Sequence, residues 1–127
     1  ERGLPFDDVI IDEGQFFPPE LAGALAALHA QGKRVVFAGR DVDWRGRPWL
    51  TTANVLALPE AHIIRLRGTC ANCGSDSASR SQKLAPDHTV VPYDAADDSI
   101  DVGHHYRPVC VSCWYETTPG LPASLCR

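Results

Sequence analysis

The sequence contains two matched pairs of cysteines, and each pair has two residues between its members. The four residues are Cys70, Cys73, Cys110 and Cys113. A two-residue gap lets both thiolates of one turn reach a metal ion at about 2.3 Å, and two such turns complete the tetrahedral shell of a structural zinc site. Two disulfides are the alternative, but the unpaired Cys126 and the lack of a signal peptide favour a reducing compartment. The spacing therefore predicts one structural Zn²⁺ per chain, with no coordination position left for catalysis.

Two adjacent carboxylates form a second candidate site. Asp12 and Glu13 directly follow the apolar run at residues 9–11, and Gly14 comes after them. At the end of a strand, one carboxylate can hold Mg²⁺ through water while its neighbour accepts a proton from an attacking hydroxyl group. Acidic residues at strand ends are more often solvated or capping groups, so the pair alone does not identify a catalytic site.

The elements that must position these carboxylates follow a β–α–β order. Residues 9–11 are typical of a strand buried on both faces of a parallel sheet. Residues 18–20 open a stretch with helical apolar spacing, Gly32 fits the end of that helix, and residues 35–38 form a second apolar run. A strand, a helix and a strand over this length indicate a right-handed βαβ unit, so the predicted fold class is α/β.

The rest of the first half contains a charged loop and further apolar runs. Residues 39–50 combine charge, glycine, proline and tryptophan, which predicts a ligand-binding loop after the second strand. We expect a short helix that Thr51 or Thr52 N-caps and that runs through Leu58, and a third strand at residues 63–66.

The composition becomes polar near residue 68, which predicts a domain boundary. We expect residues 1–68 to be the C-terminal portion of an α/β core and residues 69–116 to be a zinc-binding domain. Within the latter, residues 94–99 are expected to form a solvated loop. Residues 117–127 read as a disordered tail.

Charge and hydropathy exclude several classes of partner. The chain has 127 residues, with 12 Lys and Arg against 16 Asp and Glu, and a net charge of −4. This balance argues against the broad basic face that non-specific nucleic-acid binding needs. No apolar stretch is long enough to span a bilayer, so we expect a cytoplasmic protein without membrane or nucleic-acid partners. Because residue 1 is glutamate, we expect the chain to be the later part of a longer protein.

Residues 12–17, residues 39–49 and the two cysteine pairs occur in the order found in the cellular-type (type II) thymidine kinases, and the chain resembles that family over about residues 6–115. The resemblance implies a P-loop kinase core followed by a zinc-bound lasso domain whose loop closes over the nucleoside. It also implies transfer of the γ-phosphoryl group of ATP to the 5′-hydroxyl of thymidine, which gives dTMP in pyrimidine salvage. The implied cofactor is Mg²⁺ with ATP, and the implied assembly is a homotetramer.

The resemblance implies a role for each matching residue. Asp12 would hold Mg²⁺ through water, and Glu13 would be the general base that takes the proton of the thymidine 5′-hydroxyl. The aromatic residues implied to contact the nucleoside are Phe16, Trp44, Trp49 and Tyr106. Aromatic side chains suit thymine because its flat face and methyl group offer a large apolar contact area. The alternative for Phe16, Phe17, Trp44 and Trp49 is core packing, which we prefer for Phe17 but not for the two loop tryptophans.

The chain departs from the family pattern in three places. No Gly-x-x-x-x-Gly-Lys-Ser/Thr motif occurs in it, so we expect this stretch alone not to phosphorylate thymidine. Arg40 stands where the family commonly carries leucine, and we expect it to extend outward or to pair with Asp41. Residues 103–106 form a shorter stretch than in the family, and residues 92–99 resemble an insertion.

Two functions remain open from the sequence. One is part of an ATP-dependent thymidine kinase, and the other is a non-catalytic zinc-binding α/β module that retains a nucleoside pocket or an oligomer interface. A nucleic-acid-binding zinc ribbon is disfavoured because the chain is acidic and has no clustered lysines around its cysteines.

Overall fold

The computed structural model describes residues 5–96 and 105–125, which form two compact units. The first unit comprises the described residues up to Val42 together with Pro48–Ile64, and the second comprises Asp43–Arg47 together with the described residues from Arg65 onward. The strands are β1 Asp8–Ile11, β2 Arg34–Phe37, β3 Arg80–Leu84 and β4 His105–Val109. The α-helices are α1 Leu21–Ala30, α2 Leu50–Leu56 and α3 Val111–Thr117, and 3-10 helices cover Gly14–Phe16 and Ala123–Leu125. No helix in the described part of the chain has the length and apolar character needed to cross a membrane.

The first unit is built on the parallel β–α–β arrangement that the apolar pattern predicts. β1 pairs with β2 in parallel, with Val9 opposite Val35. The chain leaves α1 through Gly32, whose φ of 84° is a left-handed conformation that glycine adopts without steric cost. Leu25 of α1 is buried in one cluster with Val55 of α2 and the side chains on one face of the sheet. Full burial of such a leucine side chain contributes about 1.5–3 kcal/mol.

The opposite face of this sheet is open among the described residues, which corrects the prediction of a strand buried on both faces. Val9 and Ile11 pack in the cluster with α1, whereas Ile10 lies between them in the strand and is 71% exposed. Successive side chains of a strand alternate between its two faces, so a single covering helix buries only every second residue.

Residues 63–66 form no strand in the structure, so the prediction of a third strand is wrong. Ile63, Ile64 and Leu66 are all exposed. An apolar run becomes a strand only when a neighbouring strand pairs with its backbone N–H and C=O groups. No strand in the described ranges pairs with this run. Apolar side chains cannot replace the backbone hydrogen bonds that a neighbouring strand would provide.

The second unit is built around the cysteine pairs. β3 and β4 are antiparallel, with Lys83 opposite Tyr106. The buried core of this unit consists of Cys70, Ala78, Val109, Cys110, Cys113 and Trp114. Trp114 is the largest member and is only 1% exposed. The metal-ligating residue types therefore also provide much of the apolar core of this unit.

One loop is divided between the units in a way that the sequence does not indicate. Its local composition predicts a single boundary near residue 68, whereas the structure assigns Asp43–Arg47, here called the loop tip, to the second unit. The second unit then resumes at Arg65. The placement of the loop tip depends on contacts with residues far along the chain, and no local pattern reveals such contacts.

The residues after α3 differ from the disordered tail expected for residues 117–127. Thr118 is buried and Leu121 packs against the core of the second unit. Groups of this segment are thus held in place as far as Leu121, by Gln82 of β3 and by the core of the second unit. Residues 126–127, and residues 97–104 of the expected lasso loop, lie outside the described residues.

Candidate functional site

The two candidate carboxylates lie where the chain leaves β1. Asp12 Oδ1 accepts a hydrogen bond from the backbone N–H of Glu13 at 2.9 Å. Glu13 has φ 51° and ψ 42°, which is the left-handed region that residues with a side chain rarely occupy. Such a conformation costs about 1–3 kcal/mol and persists only where the surroundings enforce it. Both side chains are exposed, so the strained turn presents carboxylates to solvent at the end of a strand.

Gly14 allows the ends of β1 and β2 to approach each other closely. Its N–H donates to the carbonyl of Ala38 at 2.9 Å, and a Cβ added to Gly14 would overlap the ring of Phe37. Gly39 is similarly constrained, since an added Cβ would lie 2.9 Å from a ring carbon of Phe37. These contacts explain why a glycine follows the carboxylates: no larger residue fits beside that ring.

Gln15 holds the Glu13 carboxylate in place, and this residue was missed by the sequence analysis. Its side chain is 4% exposed, and its Nε2 donates to Glu13 Oε2 at 2.8 Å. Its Oε1 accepts the backbone N–H of Arg40 at 3.1 Å. Because the oxygen is engaged by a donor, the amide nitrogen must point toward the carboxylate. The available signal was an amide two residues after a carboxylate, which does not by itself predict burial.

Phe16 and Trp49 form an aromatic pair in the first unit. Their ring centroids are 5.5 Å apart at an interplanar angle of 81°, which is an edge-to-face arrangement. Phe16 remains 54% exposed, so much of its ring is open to solvent. Trp49 Nε1 is buried and has no hydrogen-bond partner within the described ranges. Phe16 is the last residue of the 3-10 helix that begins after Glu13. The turn that carries the carboxylates therefore also positions this ring.

Two local predictions around this pair need correction. Phe17, for which we expect core packing, is exposed, and its carbonyl accepts a hydrogen bond from Thr51 Oγ1. Helix α2 begins at Leu50 with Trp49 as its N-cap, so Thr51 lies in the first turn and does not cap the helix. The threonine hydroxyl instead ties the start of α2 to the segment after the 3-10 helix. Arg40 has an exposed side chain.

The other two predicted nucleoside contacts belong to the second unit. The guanidinium carbon of Arg45 lies 4.1 Å from the centroid of the Trp44 ring, and Lys83 Nζ lies 5.5 Å from the same centroid. Tyr106 is partly exposed on β4 and stands opposite Lys83 in the strand register. The structure therefore groups Phe16 and Trp49 with the carboxylates in one unit, and Trp44 and Tyr106 in the other.

The four paired cysteines converge on one point, as their spacing predicts. Their sulfur atoms all lie within 4.8 Å of one another, and Cys73 Sγ is 3.9 Å from Cys110 Sγ. Tetrahedral Zn²⁺ with bonds of about 2.3 Å separates its sulfur ligands by roughly 3.8 Å, so the donor set fits this ion. None of the four forms a disulfide. The cluster can therefore hold a metal, whereas the disulfide alternative is not what the structure shows.

Hydrogen bonds, burial and neighbouring thiols give the sulfur atoms of the cluster unequal pKa values. Burial raises the pKa of Cys70, but backbone hydrogen bonds from Cys110, Cys73 and Asn72 outweigh burial and lower that pKa to about 6. The Asn72 amide, which donates to Cys113 Sγ at 3.2 Å, lowers the pKa of Cys113, but the neighbouring thiols and burial raise it to about 12. Four adjacent thiolates repel one another, so a divalent cation is what allows all four to lose their protons.

The first unit is a parallel α/β unit whose first strand is followed by adjacent carboxylates, and the second unit holds four convergent thiols. Together they define an α/β protein with a candidate metal centre. The chain belongs to the thymidine kinase family, whose family model matches residues 4–114. A thymidine kinase from Pyrobaculum aerophilum is 42% identical over 94 residues, which cover 70% of this chain and 49% of that protein. The chain thus spans about half the length of this relative. The resemblance predicted from the motifs is confirmed.

Proposed function

We propose that the chain is part of an ATP-dependent thymidine kinase and carries its general base and part of its nucleoside pocket. Membership of the thymidine kinase family supports the activity. The observation that carries the residue assignment is Glu13, which combines a left-handed backbone with a carboxylate bonded by the buried Gln15. A costly backbone conformation is expected where a carboxylate must point in a defined direction for chemistry.

In the proposed reaction, Glu13 accepts the proton of the thymidine 5′-hydroxyl. The hydroxyl oxygen forms a bond to the γ-phosphorus of ATP while the bond from that phosphorus to the bridging oxygen of ADP breaks, which gives dTMP and ADP. Gln15 occupies Oε2 of the base, and no described residue bonds Oε1, so Oε1 is the oxygen available to the hydroxyl. Catalysis of phosphoryl transfer depends mainly on positioning and charge neutralisation, and a single well-held base meets the first requirement.

Asp12 is the residue proposed to hold Mg²⁺ through water. Its Oδ1 accepts the Glu13 N–H, while its Oδ2 has no hydrogen-bond partner in the described part of the chain and the side chain is exposed. A carboxylate oxygen open to solvent fits an ion that keeps several of its waters. When bound, Mg²⁺ supplies positive charge that stabilises the transferring phosphoryl group. Asp12 itself orients the bound water and keeps its neighbour's backbone in the strained turn.

Phe16 and Trp49 of the first unit are proposed to contact the nucleoside, and Tyr106 of the second unit is a separate candidate for such a contact. Phe16 offers an open ring face supported at its edge by Trp49, which suits a flat pyrimidine. Tyr106 is partly exposed on β4 and offers a second aromatic surface. Trp44 suits this role less well, because Arg45 covers its ring at 4.1 Å. We therefore assign Trp44 to the positioning of its loop.

The four cysteines are proposed to hold a structural Zn²⁺. They lie in the buried core of the second unit, or, for Cys73, at its exposed margin, and a four-thiolate shell is closed. The energy of binding a structural zinc is largely folding energy, so the ion would stabilise this unit without entering the reaction.

The experiment that tests the assignment is the substitution Glu13→Gln in the full-length protein. Glutamine keeps the shape and can still accept the Gln15 hydrogen bond, but it cannot take the hydroxyl proton. General-base removal lowers rates by about 10²–10⁴-fold, so kcat should fall by that factor while KM for thymidine stays nearly unchanged. Glu20→Gln makes the same chemical change at an exposed residue before α1 and should leave kcat unaltered.

The same assay distinguishes the alternatives. Near-native kcat in Glu13→Gln protein would contradict the base assignment. If the full-length protein bound thymidine without phosphorylating it, the non-catalytic module with a retained nucleoside pocket would replace the kinase proposal.

A further inference from the structure

The loop between β2 and α2 has its base in one unit and its tip in the other. Val42 and Pro48 form an antiparallel bridge at the base, which belongs to the first unit. The loop tip, Asp43–Arg47, belongs to the second unit. Just beyond the base, Trp49 donates its backbone N–H to the carbonyl of Asp41 at 2.9 Å. The tip is therefore joined by two short chain segments to the base, and the base directly precedes Trp49, which packs on Phe16.

The loop tip is an internally bonded turn. Asp43 Oδ1 accepts the backbone N–H groups of Arg45 and Arg47, each at 2.9 Å. The carbonyl of Asp43 accepts the N–H of Gly46 at 2.9 Å, and the N–H of Asp43 donates to the carbonyl of Arg47 at 2.8 Å. Gly46 has φ 78°, which a residue with a side chain rarely adopts. These bonds let the tip behave as one piece that is held or released as a whole.

Two side chains bind this turn to the rest of the second unit. The indole N–H of Trp114 donates to the carbonyl of Trp44 at 3.1 Å. Arg45 is buried, and its guanidinium donates to the carbonyls of Tyr93, at 2.8 Å, and of Ala95. Donation by a charged group is stronger than a neutral hydrogen bond, so the turn is held mainly at Arg45, with a second hydrogen bond at the adjacent Trp44.

Close packing adds a third point of attachment. A Cβ added to Gly46 would overlap the guanidinium of Arg80, whose central carbon lies 5.1 Å from the centroid of the Trp114 ring. Arg80 is thus placed between the glycine of the tip and the buried indole. No larger residue fits at Gly46 unless this arginine moves.

Trp114 joins the loop tip to the candidate metal centre. It directly follows Cys113, and Cys110 is the N-cap of α3, with its sulfur accepting the Cys113 N–H at 3.5 Å. A metal bound by these two cysteines fixes the first turn of α3 and hence the direction of the Trp114 indole. The contact between Trp114 and Trp44 spans 70 positions of the chain, so it is a tertiary link and not a local turn.

We propose that Trp114 is a positioning residue that makes the orientation of the β2–α2 loop depend on metal binding at the four cysteines. Its indole N–H holds the loop tip, and the tip in turn keeps Trp49 against Phe16. The hold on the tip stands on the contacts alone, whereas its effect on nucleoside affinity rests on the proposed function.

The test combines hydrogen exchange with kinetics on the full-length, zinc-loaded protein. Trp114→Phe removes the indole N–H and keeps an aromatic ring, and the adjacent Tyr115→Phe is the matched control. In Trp114→Phe, amides of the loop tip should exchange about two- to tenfold faster, the range expected for loss of one hydrogen bond, while residues 34–37 keep their rate. Zinc content should stay at one ion per chain. KM for thymidine should rise by a similar factor while kcat is unchanged.

Two further arms keep the test decisive. Chelation of the zinc should accelerate exchange of the tip at least as much as Trp114→Phe does. Arg45→Gln weakens the hold from the loop side, away from the cysteines, and should accelerate the same amides with zinc retained, so it decides the matter if Trp114→Phe protein fails to fold.

An unchanged exchange rate of the tip in Trp114→Phe protein overturns the proposal, and so does an increase that Tyr115→Phe reproduces. Faster exchange with an unaltered KM overturns the positioning role. A full-length protein that does not phosphorylate thymidine defeats the proposed function instead, and the exchange measurements still decide whether the metal centre holds the tip.

Discussion

The buried amide of Gln15 offers the sharpest test of how the strand turn supports catalysis. Gln15→Met keeps the length of the side chain but removes both its hydrogen bonds. Glu13 loses the donor to its Oε2, and the backbone N–H of Arg40 loses its acceptor. We expect this variant to be both slower and less stable, because one bond orients the proposed base, Glu13, and the other stabilises the fold.

The two effects have different sizes. The bond from Gln15 orients the Glu13 carboxylate, and misplacing a catalytic group by about 1 Å can cost about 10²-fold in rate. Loss of this one restraint on Glu13 should therefore lower kcat roughly tenfold, with KM for thymidine almost constant. The orphaned N–H of Arg40 should cost about 1–3 kcal/mol of stability.

Gln82→Met is the matched control for this prediction. Gln82 is an equally buried amide in the second unit, where it bonds Arg107 and the hydroxyls of Thr117 and Thr118. Its loss should lower stability by a similar amount without changing kcat. Steady-state kinetics and urea unfolding of both full-length variants make the comparison. A native kcat in folded Gln15→Met protein, or an equal loss of kcat in Gln82→Met, would refute the reasoning.

Two further predictions concern the metal carboxylate and the pH dependence of stability. Asp12→Asn should lower kcat by weakening the hold on magnesium, and raising the Mg²⁺ concentration should recover part of it. A magnesium series measures this, and a defect that ignores magnesium would contradict the assignment. The hydroxyl and N–H of Thr89 lower the pKa of Asp87 in the folded protein. The stability that these bonds contribute is therefore fully present above the unfolded carboxyl pKa of about 4, and it is lost as the pH falls through the pKa of Asp87 in the folded protein. Thr89→Val should therefore have a lower free energy of unfolding than the parent at pH 7. Urea unfolding should show this difference shrinking below about pH 4, and a difference that does not change with pH would contradict the prediction.

Local patterns were enough to predict the β–α–β unit and the convergence of the cysteines. The apolar periods at residues 9–11 and 35–38 and the glycine at position 32 act within a few residues, and so they can be read without knowing the partners. The cysteine spacing works in the same way, because each turn alone brings two sulfur atoms together. Residues 63–66 show the limit of this reasoning, since an apolar run predicts burial but not the strand that must pair with it.

The details of the candidate site were decided by tertiary contacts. The Phe37 ring of β2 leaves no room for a side chain at position 14, and the buried amide of Gln15 bonds the backbone of Arg40 in the neighbouring strand connection. Such contacts join residues that are distant in sequence, and no periodicity or spacing encodes them.

The sequence by itself determined which residues can do chemistry in this protein, namely two carboxylates after a strand and four thiols in two turns. Only the tertiary structure decided the contacts around them: Gln15 bonds the Glu13 carboxylate, and Trp114, next to Cys113, bonds the loop tip, which the sequence assigns to the other unit. The physical reason is that residue type and short spacing set chemical capacity, whereas orientation comes from hydrogen bonds and packing that exist only after distant segments have met.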